Sequence, residues 1–349
     1  MINKVIEFAL ANKCSDIHFG SNERMAVRGD SGVYFLDELG LISKELAEEI
    51  IFKLIGDSER IKRYLEEKEF DFSYVHATGD TFRCNAFHKK GNVSVAMRHI
   101  AHNIPGLDLI GAPEKLKEMI LAKQGLILVC GPTGHGKTTT AYAMLEEINK
   151  LRNDHIITLE DPIEYNLQSK KCIVSQRQIS SDTHSFATSL RAAMRQDPDV
   201  IMVGEMRDRE TIEAVFNLCA TGHLVISTIH ANSASQTLAR IVQVFPQAQR
   251  EFILNQMADA LLGILNQRLV VRKDGDSIAM FELMLANYAV KNSIRNGDIL
   301  QMDNTIATSV LREGMTTLRH SAEKLIRMGI IDIEAARPYI PEWQENNGF

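Results

Sequence analysis

The segment Gly131-Pro132-Thr133-Gly134-His135-Gly136-Lys137-Thr138, followed by Thr139, has the spacing G-x-x-x-x-G-K-[ST]. Glycines at these positions let the backbone curl until successive N–H groups converge on phosphate oxygens. A helix starting directly after the loop adds the partial positive charge of its amino terminus. Lys137 is then placed to reach the β- and γ-phosphates of ATP, and the Thr138 hydroxyl to ligate Mg²⁺. The flanking residues read as the required context, with strand LILVC (126–130) before the loop and helix TTAYAMLEEINKL (139–151) after it. His135 occupies a position that the motif leaves free and is read as a solvent-facing filler.

Three more apolar runs end in polar chemistry. IITL (156–159) ends in Glu160-Asp161-Pro162-Ile163-Glu164, VIMV (200–203) in Gly204-Glu205-Met206-Arg207-Asp208, and LVIST (224–228) in Ile229-His230. Ligands of open parallel α/β sheets bind at the carboxyl ends of the strands. If one sheet carries all four runs, these groups converge on the γ-phosphate. Glu160, Asp161 and Glu164 offer carboxylates to orient or deprotonate water and to hold Mg²⁺ through its waters, with Glu164 the favoured base. Asp161 is equally well read as a helix cap ahead of Pro162. Gly204 stands where an Asp usually binds the metal, so Glu205 must serve the metal shell or the water. His230 could hydrogen-bond the γ-phosphate, whereas His223 lies about 20 Å away at the opposite strand end, where a subunit contact competes with a structural role.

The elements that must position these groups divide near residue 105. Residues 1–100 mix short helices (2–10, 44–55, 59–67) with alternating strands at 15–19, 25–28, 33–36, 70–75, 81–87 and 93–98, which predicts a small α+β domain. A turn-rich connection at 101–113, bracketed by Asn103-Ile-Pro-Gly106 and Gly111-Ala-Pro113, predicts a linker. Residues 114–349 then alternate buried strand, loop and helix, which suits an α/β parallel sheet. From Gln249 onward helices are expected to dominate, interrupted by a strand at 278–284 after the turn Lys273-Asp-Gly-Asp276.

With 349 residues, 39 Lys and Arg against 45 Asp and Glu, and a net charge of −6, the chain has no basic excess for nucleic acid or an anionic membrane. The five cysteines are scattered, never C-x-x-C, and read as thiols of a reducing compartment. No apolar run approaches a membrane span, and MINKVIEFALANK, with Glu7 in its apolar stretch, is not expected to act as a signal peptide.

The phosphate loop, ITLEDPIEY (157–165), LRAAMRQDPDVIMVGEMRDRET (190–211) and TGHLVISTIH (221–230) resemble the Walker A, Asp box, Walker B and His box of the secretion and type IV pilus ATPases, above all the pilus-retraction motors. SDIHF (15–19) and TFRCNAF (81–87) look like that family's PAS-like N-terminal domain, and Gly314-Met-Thr-Thr-Leu318 like its C-terminal segment. The resemblance implies a RecA-like P-loop ATPase core with an N-terminal α+β PAS-like domain and helical C-terminal segment (about 285–349). It implies Lys137 and Thr138 for nucleotide and Mg²⁺, Glu164 as general base and Glu205 as Walker B acid. Glu160 and His230 join the catalytic set, while His223, Arg195 and Arg207 serve an interface or as sensors. Arg83 and Arg98 become arginines that a neighbouring subunit presents to the phosphates. Two departures stand out: the retraction-linked motif AIRNLIRE corresponds to the half-matching Ala289-Val-Lys-Asn-Ser-Ile-Arg-Asn296, and His135 replaces the usual Ser. The four-cysteine insertion of the related assembly and secretion ATPases has no counterpart here.

The expected function is that of a homo-hexameric cytoplasmic ATPase that drives pilus retraction and twitching motility. It would dock on an inner-membrane pilus platform protein and work beside paralogous pilus ATPases, with no direct nucleic acid. The alternatives are a motor of another type IV pilus, conjugation or secretion system and, from other classes, a RecA-type DNA translocase or a non-hydrolysing regulatory module.

Overall fold

The computed structural model describes residues 1–29, 32–100 and 104–344. The first three linker residues, Ala101 to Asn103, and the end of the C-terminal segment lie outside the described residues. The chain forms two compact units, Met1–Asn103 with Glu164–Asn166, and Ile104–Ile163 with Leu167–Phe349.

In the first unit, α1 (Ile2–Ala11), α2 (Lys44–Ile55) and α3 (Ser58–Glu67) accompany a six-stranded antiparallel sheet. Its strands are β1 (Asp16–Gly20), β3 (Ala26–Gly29), β4 (Gly32–Phe35), β6 (Glu69–Val75), β7 (Thr81–Lys89) and β8 (Asn92–Ile100), in the order β4-β3-β1-β8-β7-β6. A separate two-stranded ribbon joins β2 (Glu23–Arg24) to β5 (Leu41–Ile42). Ser43 and Asp57 accept from backbone N–H groups at the starts of α2 and α3, which fixes where each helix begins. Ile6, Ile17, Met25, Ile51, Tyr64, Phe82 and Met97 are the almost fully enclosed centre of this core.

The second unit is built on a seven-stranded sheet. β9 (Gly125–Cys130), β10 (His155–Glu160), β11 (Ile173–Gln178), β12 (Val200–Val203) and β13 (Leu224–Ile229) run parallel, and β14 (Leu261–Val271) and β15 (Ser277–Leu285) complete the order β11-β10-β12-β13-β9-β14-β15. β14 runs parallel to β9 and forms an antiparallel hairpin with β15. All six residues of β9 and of β13 are buried, as a strand covered on both faces requires. The principal helices are α4 (Glu114–Met119), α5 (Lys137–Leu151), α6 (Phe186–Ala193), α7 (Arg209–Ala220), α8 (Ala234–Gln243), α9 (Arg250–Ala260), α10 (Tyr288–Asn296), α11 (Met302–Glu313) and α12 (Leu318–Arg327). The chain then passes through α13 (Ile333–Ala336) and a 3₁₀ turn, Arg337–Tyr339, whose surroundings include a small core of Val270, Met280, Ala322, Leu325, Ile331, Ala336 and Ile340.

Two strands depart from the sequence expectation. Leu261–Val271 was expected to be helical and is the longest strand of this unit, while Ile173–Gln178 was not expected at all. β14 is buried along nearly its whole length, so its sequence LLGILNQRLVV shows no alternation that would distinguish strand from buried helix. The helix cap proposed for Asp161 is also overturned: no helix begins at Pro162, and Asp161 is exposed. The five cysteines are all buried and free.

Close packing explains one glycine in the sheet. A Cβ on Gly263 would lie 2.6 Å from the Met284 carbonyl oxygen and 2.6 Å from the Met119 side chain. Gly263→Ala is expected to lower stability by about 1–3 kcal/mol through this overpacking. A shifted midpoint in chemical denaturation is the measurement.

Candidate nucleotide site

The loop between β9 and α5 holds the geometry that phosphate binding needs. Gly134 and Gly136 both have φ of 78°, which side-chain-bearing residues rarely adopt. Gly136 is the N-cap of α5, and no side chain caps that helix. By contrast α6, α7 and α8 each have a side-chain acceptor, from Ser185, Asp208 and Ser233. The amino terminus of α5 therefore keeps N–H groups and a positive dipole end for an anion.

The ends of neighbouring strands deliver polar groups to this loop. Lys137, buried apart from 7% of its surface, donates through Nζ to the Pro132 carbonyl at 2.9 Å and lies 3.3 Å from Nδ1 of His230. His230 follows β13, and Thr133 Oγ1 is 3.5 Å from the same ring nitrogen. With Nδ1 accepting from Lys137, Nε2 carries the proton, and it faces the Glu205 carboxylate at 3.5 Å. Glu205 also pairs with Arg207 at 2.6 Å. Burial, then the positive charge of Lys137, hold the His230 pKa below its ordinary value, while Glu205 opposes this. Arg240 donates to the His230 carbonyl at 2.7 Å and fixes the loop after β13. Lys137, Thr133, Glu205, Arg207 and His230 thus form one cluster at the carboxyl edge of the sheet.

Glu160 is also at this edge but is held differently. It is almost fully buried, and Tyr142 of α5 donates to its carboxylate at 2.6 Å, as does Thr158. Gln176 of β11 donates to Tyr142 at 2.8 Å and to Glu160 at 3.3 Å. This network ties the phosphate-loop helix to β10 and β11. At Gly204, where the motif usually has Asp, a Cβ would stand 3.2 Å from the Leu159 carbonyl oxygen where β12 lies against β10.

Other predicted residues lie elsewhere. His223 precedes β13 at its opposite end and donates through Nδ1 to the Leu218 carbonyl at 2.9 Å. Arg195 is exposed after α6, and Glu164 is half-buried in the segment following β10. In the first unit Arg83 and Arg98 are exposed cross-strand neighbours on β7 and β8. Arg98 donates to the buried Asp16 at 2.8 Å, and Arg28 lies 3.8 Å from the same carboxylate. Burial raises the Asp16 pKa, but bonds from Ser15 and Arg98 outweigh it and leave the carboxyl below its usual value. His135 does not point into solvent as expected: its Nδ1 accepts from Leu269 of β14 at 2.9 Å.

The residues missed from sequence also come from β14. Thr140 donates to Gln267 at 2.6 Å, and a Cβ on Gly131 would strike the Gln267 carbonyl at 2.7 Å. Arg268 donates to the Asn232 carbonyl at 2.7 Å and to Asn266 at 2.8 Å. Their one local signal is the polar triplet Asn266-Gln267-Arg268 inside an apolar run.

The family model of the type II/IV secretion system proteins matches residues 1–282. The chain belongs to that family. It is 36% identical over 336 residues to the type IV pilus retraction ATPase PilT of Pseudomonas aeruginosa, covering 96% of this chain and 97% of the relative. It is 38% identical over 312 residues to a twitching motility protein of Neisseria gonorrhoeae, covering 89% and 82%. The crystal structure of the pilus retraction motor PilT with bound ADP superposes with a TM-score of 0.91 and 38% identity, covering 99% of this chain and 98% of that one. The mixed α/β fold, an N-terminal domain followed by an ATPase core, is therefore that of this family.

Tyr142→Phe removes the donor to Glu160 while keeping the ring in the core. It is expected to cost about 1–3 kcal/mol, because a buried carboxylate loses a bonded partner. Urea denaturation of the variant and the parent measures the difference.

Proposed function

We propose that this chain is an ATP-hydrolysing motor that drives type IV pilus retraction, working as a homo-hexamer. The observation that carries the reading is the uncapped α5 amino terminus and its loop, with Lys137, His230 and Glu205 gathered beside it. The retraction role is supported by the near full-length likeness to PilT and by the twitching motility relative.

Lys137 contacts the β- and γ-phosphates once nucleotide replaces its Pro132 and His230 partners. Mg²⁺ would be held by the Thr138 hydroxyl and, through water, by Glu205, both hard oxygen donors suited to that cation. Among the described residues no group of three or more His, Cys, Asp and Glu could hold a metal ion. The bound ion would offset charge developing on the transferred phosphoryl group. Glu164 is assigned as the base for the attacking water, and Glu160, held by Tyr142 and Thr158, as a further member of the catalytic set. His230, donating to Glu205 and accepting from Lys137, is placed to report whether the γ-phosphate is present.

Arg83 and Arg98 are read as the pair offered to a neighbouring subunit's phosphates. Like charges directly opposite each other on a sheet are costly, and Asp16 offsets that cost on Arg98 alone. His223, Arg195 and Arg207 are assigned to subunit contact and sensing. The pilus platform protein is assigned as the partner at the inner membrane; among the described residues no helix is long and apolar enough to cross a membrane.

Lys137→Ala is expected to reduce ATP turnover at least about 100-fold by removing transition-state charge stabilisation, read by phosphate release. Arg98→Ala should lower turnover of the assembled ring while each subunit still binds a fluorescent ADP analogue. Deleting the gene in the source organism should leave excess surface pili that do not retract. Loss of pili instead would overturn retraction in favour of an assembly motor.

A further inference from the structure

His135 sits between two glycines in the phosphate loop, the stretch of backbone with the most freedom to lose when an anion binds. Its imidazole is not free. β9 last pairs with β14 at Cys130–Asn266, after which the chain turns away into the loop. The N–H of Leu269, three residues further along β14, would then lack the neighbour that β9 supplies to the preceding residues. His135 Nδ1 takes that place at 2.9 Å. Next to it, a Cβ on Gly136 would lie 3.6 Å from the Leu269 side chain, so the loop runs close against β14 here.

The ring is also walled in. Tyr339, in the 3₁₀ turn of the C-terminal segment, packs edge-to-face on it with centroids 5.9 Å apart and planes at 85°. The Arg268 guanidinium lies 6.0 Å from the same tyrosine ring and is itself bonded to the Gln267 and Asn232 carbonyls. Sequence spacing alone would not join residues 135, 269 and 339.

We propose that His135 is a positioning residue that pins the phosphate loop to β14 in its binding conformation. The pin reduces the ordering cost of nucleotide binding, so its removal falls on affinity more than on the chemical step. The inference rests on the ATPase reading but concerns a residue at a position the motif leaves free.

The pin has a defined protonation requirement. Nδ1 must be a bare acceptor for the Leu269 N–H, so the ring must be neutral with its proton on Nε2. The charged and titratable groups around it are Arg268 on β14, Lys137 on α5 and Tyr339 on the C-terminal turn. Burial, then Arg268 and Lys137, hold the His135 pKa below the ordinary imidazole value, which keeps the pin made at neutral pH. As pH falls through that depressed value, Nδ1 acquires a proton and the bond is lost.

The test uses the full chain, MgATP and steady-state phosphate release. H135A should raise KM for ATP by about three- to tenfold, the range of one lost hydrogen bond, with a smaller change in kcat. H135N places a carbonyl oxygen at the branch position of Nδ1, accepts from Leu269 and cannot titrate. It should hold KM within about twofold of the parent near neutral pH. On acidification through the depressed imidazole value the parent's KM should rise relative to that of H135N, which has no titrating group at this position. An H135A enzyme with parental KM overturns the proposal, and so does an H135N enzyme as impaired as H135A or a pH-independent ratio. If H135A does not fold, the parent-to-H135N ratio across pH decides the matter alone. A parent protein without ATP turnover would instead overturn the ATPase reading, so the two failures are distinguishable.

Discussion

An anion site at a helix amino terminus imposes a conflict that the rest of this unit resolves. The first N–H groups of α5 must stay uncapped to meet phosphate, yet the loop ahead of them must be held still. No side chain may cap the helix, so the restraints come from outside the binding face. Gln267 bonds Thr140 and abuts Gly131, Leu269 bonds His135, and Glu160 holds Tyr142, two residues further along the helix. Two strands, β14 on one side and β10 on the other, thus fix the loop while its amides stay open.

Chemistry at the strand ends follows from the same arrangement. β9, β12 and β13 are parallel and buried on both faces, so the charged groups stand where the strands stop, while Ser227 and Thr228 within β13 donate to the Val203 and Gly204 carbonyls. His230 and Glu205 meet Lys137 there through one imidazole with a fixed tautomer. Where β12 lies against β10, a Cβ on Gly204 would stand 3.2 Å from the Leu159 carbonyl oxygen, and the next residue, Glu205, carries the carboxylate that His230 faces.

The first unit shows a second use of costly electrostatics. Two exposed guanidiniums, Arg83 and Arg98, are set opposite each other, and the buried Asp16 of the SDIHF segment steadies one of them. In the C-terminal region, the half-matching retraction motif forms α10, with Val290 and Ile294 buried and Arg295 paired to Asp259. Of these, Ile294 and Arg295 are letters the motif retains, whereas Val290 stands in place of its isoleucine.

The sequence by itself determined what local pattern can encode. It located the phosphate loop, four strands ending in polar groups, the α+β character of the first unit and the helices α1, α2, α3 and α5, because spacing, caps and apolar runs act over a few residues. It misread β14, where continuous burial erases alternation, and took His135 for a surface residue, because the Leu269 N–H it serves is 134 positions away. Only the tertiary structure could bring β14 beside β9 and expose which polar residues of an apolar strand hold the loop. Register between distant strands depends on the packing of the whole sheet, and no short window of sequence records it.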